Sequence, residues 1–139
     1  MINSMITEDY VSFETAKLLK EKGFDWDCKH VYDLVRPQSC ADGKIYDNFP
    51  DKNPNAYVEL VSAPTLQMAM KWLRNNFNLN PVPYALSLGW AFDVFDLSGR
   101  DITGCKKLYS MDFPTKSTCY ETYEEAAEAA IKYCLENLI

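Results

Sequence analysis

His30 is the single histidine of the chain and follows Cys28 by two residues. With Cys40 beyond them, Cys28 and His30 could offer three ligands to a metal ion. A structural zinc site draws four ligands, usually from paired, closely spaced cysteines or histidines. No CxxC pair is present, so a fourth ligand would have to come from Cys105, Cys119 or a carboxylate. The same residues could instead act as a nucleophilic pair, His30 with Cys40, Cys105 or Cys119. Such a pair needs hydrogen-bond reach and a third group that orients the base. No glycine elbow surrounds any of these cysteines. The five cysteines are odd in number, and Cys134 falls on an apolar helical face, where a free thiol behaves as a small hydrophobe. The pattern predicts reduced thiols, no metal, no cofactor and a surface histidine at the start of a strand.

Three carboxylates form the second chemical possibility. Asp93 and Asp96 lie on an aromatic-rich segment, with Asp101 after a turn. Paired carboxylates perform acid–base work when burial separates their pKa values. Asp93 and Asp96 are three residues apart, so on a strand they face opposite sides. They read as solvent-facing or hairpin-edge carboxylates. Phosphate-binding loops need clustered glycines ahead of a helix, and the five glycines here are scattered. Trp90, Phe92 and Val94 share one strand face, with Tyr84 and Tyr109 expected on neighbouring strands. Exposed, they could stack single-stranded bases, but basic surroundings are confined to Lys106 and Lys107. Core packing beneath helices is the expectation.

The elements that position these residues follow from periodicity. Ser12 is a suitable N-cap for a helix to Lys22, with Gly23 at C′ and Phe24 folding back on Leu19. Val31–Val35 and Lys44–Tyr46 flank an Asp42-Gly43 turn, which predicts a hairpin. Residues 47–55 are turn-rich and read as a loop. Tyr57–Val61 reads as a short strand. Pro64 opens a second helix to about Phe77. Pro81 and Pro83 end the helical stretch and exclude a central strand at once. Tyr84–Leu88, Gly89–Leu97 and Ile102–Met111 read as strands, the last interrupted at Gly104, with a turn over residues 98–101. Thr122 caps a closing helix, with Glu125 three residues later. Its apolar face is Tyr123, Ala126, Ala127, Ala130, Ile131, Cys134, Leu135 and Leu138. The reading is one α+β domain over residues 1–139, with three helices and an antiparallel sheet of about four to five strands, in the order α-β-β-α-β-β(-β)-α.

The second helix stands out. Leu66, Ala69, Met70, Leu73 and Phe77 form a core stripe, and Met68 and Trp72 widen its apolar arc to about 200°, against the ~100° that a one-sided surface helix needs. The extra flank predicts a helix buried on two sides or a partner surface through Met68 and Trp72, with Trp72 partly exposed in the monomer.

Composition bounds the partners. The net charge of −6 disfavours nucleic-acid backbones and anionic membranes. Acidic residues are interspersed with 14 Lys and Arg, unlike the dense array of a DNA mimic. No run reaches the roughly 18 apolar residues of a membrane helix, and no secretory leader is visible. The expectation is a cytoplasmic protein.

Three segments carry a family resemblance: Phe13–Phe24, Ser62–Arg74 and Tyr120–Ile139. They resemble the opening, middle and closing signatures of a family of small proteins from Bacteroides and related gut bacteria and their phages. That family carries no assigned activity, so the resemblance implies a small cytoplasmic protein, encoded by a mobile element, and no catalytic residue. Together these readings favour a non-enzymatic interaction protein, an accessory or regulatory factor that binds another protein or itself. The alternative is a small enzyme using Cys/His or carboxylate chemistry.

Overall fold

Ser12 and Gly23 bound the first helix, α1 (Phe13–Glu21), in the computed structural model. The extended Ser12 accepts the Thr15 N–H on its hydroxyl at 3.2 Å. At the other end Gly23 adopts a φ of 93°, which suits a residue without Cβ. The Phe24 N–H then donates to the Leu19 carbonyl at 2.9 Å, and Gly23 N–H to Lys20 at 3.1 Å. These are the paired bonds of a Schellman ending, as the sequence predicts. The structure describes residues 9–34, 53–98, 106–111 and 114–139.

After α1 come β1 (Val31–Asp33), a 3-10 turn (Pro54–Ala56), β2 (Leu60–Ser62), α2 (Leu66–Phe77), β3 (Leu79–Leu86), β4 (Gly89–Asp96), β5 (Lys106–Ser110) and α3 (Tyr123–Asn137). The protein is an α+β fold. Its five described strands fall into two antiparallel sheets, β1-β2 and β3-β4-β5, rather than one. The described partner of β1 is β2, with Tyr32 opposite Val61. Asp42-Gly43 and Lys44–Tyr46 lie outside the described residues. Lys20 fixes the turn into β2: its ammonium donates to the carbonyls of Tyr57 at 2.7 Å and Leu60 at 2.6 Å.

Two boundaries differ from expectation. Helix α2 starts at Leu66, because Thr65 rather than Pro64 provides the cap: its hydroxyl accepts the Met68 N–H at 3.1 Å. Pro64 is extended lead-in, and its carbonyl accepts the Val11 N–H at 3.0 Å. Strand β3 starts at Leu79 and contains both Pro81 and Pro83. Asn78, in the left-handed region at φ 56°, reverses the chain between α2 and this strand. Asn78 accepts the Leu97 N–H at 2.7 Å, so the even-numbered residues of β3 face β4. Pro81 and Pro83 therefore point their missing donors away from the ladder. Among the described residues β3 is an edge strand, the position that tolerates proline.

Helix α3 lies over β3 and β4 and also packs on α1 and α2. Ala126, Ala127, Ala130, Ile131, Cys134 and Leu135 are buried beneath it. Phe92 and Val94 meet them from β4, and Phe92 stacks on Tyr109 at 5.1 Å, which in turn lies 4.2 Å from Tyr133. Tyr84 is not part of this cluster. It pairs with Ala91, so it occupies the opposite sheet face. Gly89 closes the β3–β4 hairpin where a Cβ would meet the Tyr120 carbonyl oxygen at 2.7 Å, so no larger residue fits there.

Trp72 corrects a sequence expectation. It is 3% exposed, a core residue rather than a partly open one. Phe24, delivered by the Schellman turn of α1, meets its ring edge-on at 5.4 Å, and Phe77 does so at 5.1 Å. The broad arc of α2 is covered within the chain. Met68 is half-buried at the core margin.

Candidate functional site

The N-terminal segment Asp9–Ser12 runs antiparallel to Pro64–Leu66. Tyr10 bridges Thr65, and the Leu66 N–H donates to the Asp9 carbonyl at 2.9 Å. Further along, the Ser12 N–H donates to Glu128 Oε1 at 2.9 Å, tying this segment to α3. Thr122 caps α3 by accepting the Glu125 N–H at 3.1 Å. Glu125 reaches back to the Glu121 N–H at 3.1 Å, one residue before the position of an ordinary capping box. Tyr120 is held by a reciprocal pair of 2.8 Å backbone bonds with Trp90. These anchored elements enclose an open groove of about 580 Å³.

The groove has an apolar floor and a charged rim. Tyr120 and Ala129 contribute carbon surface, together with the ring of Tyr10, and the buried Leu66 lies beneath them. Asp9, Glu124, Glu125 and Glu128 bring carboxylates, and Lys132 brings one ammonium. Lys132 is already engaged by Glu14 at 2.9 Å. That ion pair holds the Glu14 carboxyl below its ordinary range and raises Lys132. Glu125 and Glu128 accept backbone N–H groups, whereas Asp9 and Glu124 make no side-chain hydrogen bond or ion pair among the described residues.

The residues singled out for chemistry separate. Cys28 is buried and its thiol donates to the backbone carbonyl of His30 at 3.2 Å, not to the ring. Burial pushes that thiol's pKa up, which disfavours a thiolate. The His30 ring instead meets the Tyr10 hydroxyl, Nε2 to Oη 3.0 Å. His30 is half-buried there, not the open surface histidine expected. Cys40, Cys105 and Asp101 lie outside the described residues. Among the described residues no three His, Cys, Asp or Glu side chains gather as a metal site would require.

Asp93 and Asp96 occupy opposite faces, as their spacing predicts. Asp96 is the open one, and hydrogen bonds from Ser98, at 2.6 Å from Oγ and 2.9 Å from N–H, lower its pKa. Asp93 departs from the expected solvent-facing carboxylate. Its side chain is 15% exposed, Oδ2 lies 3.6 Å from Lys107 Nζ, and Oδ1 is buried without a hydrogen-bond partner among the described residues. Ser110 and Tyr84 share its sheet face. Burial raises the Tyr84 pKa, assisted by Asp93 and by Cys119. Sequence reasoning missed this group because it depends on cross-strand register. It missed the groove too, although the signal existed: Glu124, Glu128 and Lys132 recur every four residues on the polar side of the closing helix.

No helix among the described residues is long and apolar enough to cross a membrane. Comparison with family models, with curated proteins and with solved structures finds no match.

Proposed function

We propose that this chain is a non-enzymatic interaction protein, an accessory or regulatory factor that receives a segment of another protein in the groove between Asp9–Ser12 and α3. The observation that carries the reading is the groove itself: floored by Tyr120 and Ala129 and walled by elements that hydrogen bonds hold in place. Its volume lies in the range of ordinary ligand sites. The contact surface is therefore here, rather than at Met68 and Trp72, since a side chain as buried as Trp72 offers a partner nothing to touch. On the family resemblance, the factor would be encoded by a mobile element and act in the cytoplasm.

The competing reading is a small enzyme that uses cysteine and carboxylate chemistry around Asp93, Tyr84 and Cys119. The unpartnered Asp93 oxygen favours it. Against it, a nucleophilic thiol wants an electropositive setting, and Tyr84, the group on which Cys119 and Asp93 both act, supplies no positive charge.

Ala129→Trp tests the groove. The half-buried Ala129 lines the floor, so an indole there fills the space while leaving the core face of α3 intact. A partner that copurifies with the native protein should be lost with this variant, and the melting curve should stay cooperative. A partner retained by a folded Ala129→Trp protein would place the contact elsewhere.

A further inference from the structure

Charge decides what kind of segment the groove can accept. Among the described residues four carboxylates face one ammonium there, and that ammonium is held by Glu14. An anionic segment, whether phosphorylated or nucleic acid, would meet repulsion near a low-dielectric floor, where charges interact more strongly than in bulk water. Asp9 and Glu124, on two different walls, lack side-chain partners among the described residues. Between them lies carbon surface. The chain as a whole carries a net charge of −6, which speeds the approach of a cationic partner.

We propose that the groove binds a basic segment of a partner protein, in which an aliphatic side chain rests on Tyr120 and Ala129 while flanking arginines or lysines reach Asp9 and Glu124. This inference rests on the groove being the interaction site. An arginine is the better fit on each side, because its planar fork satisfies both oxygens of a carboxylate.

The test uses the full-length protein, labelled with nitrogen-15, and two synthetic peptides, Gly-Ser-Arg-Leu-Arg-Ser-Gly and its counterpart with glutamate at both arginine positions. The arginine peptide should shift the amide resonances of Ser12, Leu66 and Ala129, and the glutamate peptide should not. Its affinity should fall several-fold as salt rises from about 50 to about 200 mM, since the contacts are exposed enough to be screened. The double variant Asp9→Asn, Glu124→Gln changes only exposed side chains and should weaken binding about 5- to 30-fold, the equivalent of roughly 1–2 kcal/mol. Glu21→Gln, exposed at the end of α1 and outside the groove lining, should change nothing. If both peptides bind equally, or neither binds while a native partner still requires Ala129, the basic-segment inference fails and the groove reading stands. Shifts that appear only with rising protein concentration would make a second copy the occupant, which also overturns it. Shifts remote from the groove that survive Ala129→Trp would sink both readings.

Discussion

Helices α2 and α3 exchange the roles that their patterns suggest. α2 has the broader apolar arc, with Met68 and Trp72 beyond its main stripe, and looks like the helix with surface to spare. It is instead covered on both flanks, because Phe24 arrives from the end of α1 and Phe77 folds in from its own last turn. α3 has a one-sided stripe and looks like a simple cover. Its polar side, however, leans over a gap that the Asp9–Ser12 segment leaves open, and there it forms one wall of the groove. The width of an apolar arc thus reports how much of a helix's own circumference the chain covers, not how many elements it touches. A binding surface arises where the polar side of a helix borders a space that no described residue fills.

This contrast can be broken or sharpened experimentally. Removing α3 by truncation after Tyr120 should have the largest effect. It uncovers β3, β4 and one side of both other helices, and Ile131 and Leu135 together would forfeit roughly 3–6 kcal/mol of burial. A domain's net stability is only ~5–15 kcal/mol, so the product should be unfolded or aggregating. A sharp cooperative melt of the truncated chain would show that α3 is an appendage. Next, Trp72→Ala should cost about 3–5 kcal/mol, as an emptied aromatic site does. Measured below its melting temperature, the variant should still bind whatever the groove binds. Lost association in a protein of undiminished stability would return Trp72 to the surface.

The buried side of α3 also sets an alkaline limit. Burial pushes the Cys134 thiol from 9.0 up to about 12. An unfolded chain releases this proton at lower pH than the native one. Stability from the neutral buried thiol is therefore fully present below about pH 9 and is lost as pH climbs toward 12. The slope should approach about 1.4 kcal/mol per pH unit from this group. Urea titrations of Cys134→Ala at several alkaline pH values should give a shallower decline than the parent, with Cys28, Tyr84 and Tyr120, also raised by burial, supplying what remains. Equal slopes would mean that the thiol is not sequestered. The smallest effect belongs to the outer side of the helix. Glu14→Gln removes the pair with Lys132, whose partners are largely solvated, so the melting temperature should barely move. The lowered Glu14 pKa gives the pair's sign: its contribution exists above the ordinary carboxylate range and vanishes as pH falls through the folded value.

Local chemistry was readable in the sequence, and long-range register was not. Ser12, Gly23 and Thr122 announce helix ends because capping involves neighbours a few residues away. Order and class of elements follow for the same reason. The pairing of β1 with β2 could not be read, since no local turn signal joins Tyr32 to Val61. Pro81 and Pro83 signalled the end of a helix and the exclusion of a central strand, and among the described residues β3 is an edge strand. They could not show that an edge strand runs straight through them. Tyr84 and Asp93 share a face only because β3 and β4 meet in one register. The groove is harder still. Leu66, Tyr120 and Ala129 come from separate parts of the chain, and an empty space leaves no periodicity behind.

The outward-facing prolines of β3 carry a consequence for how this protein can be approached. A foreign strand laid along that border would find the rungs at Pro81 and Pro83 missing, one after the other. Main-chain zippering of the kind that builds fibres or recruits extended peptides to a sheet is denied there. A visitor at that border must be read through side chains, which makes recognition there selective.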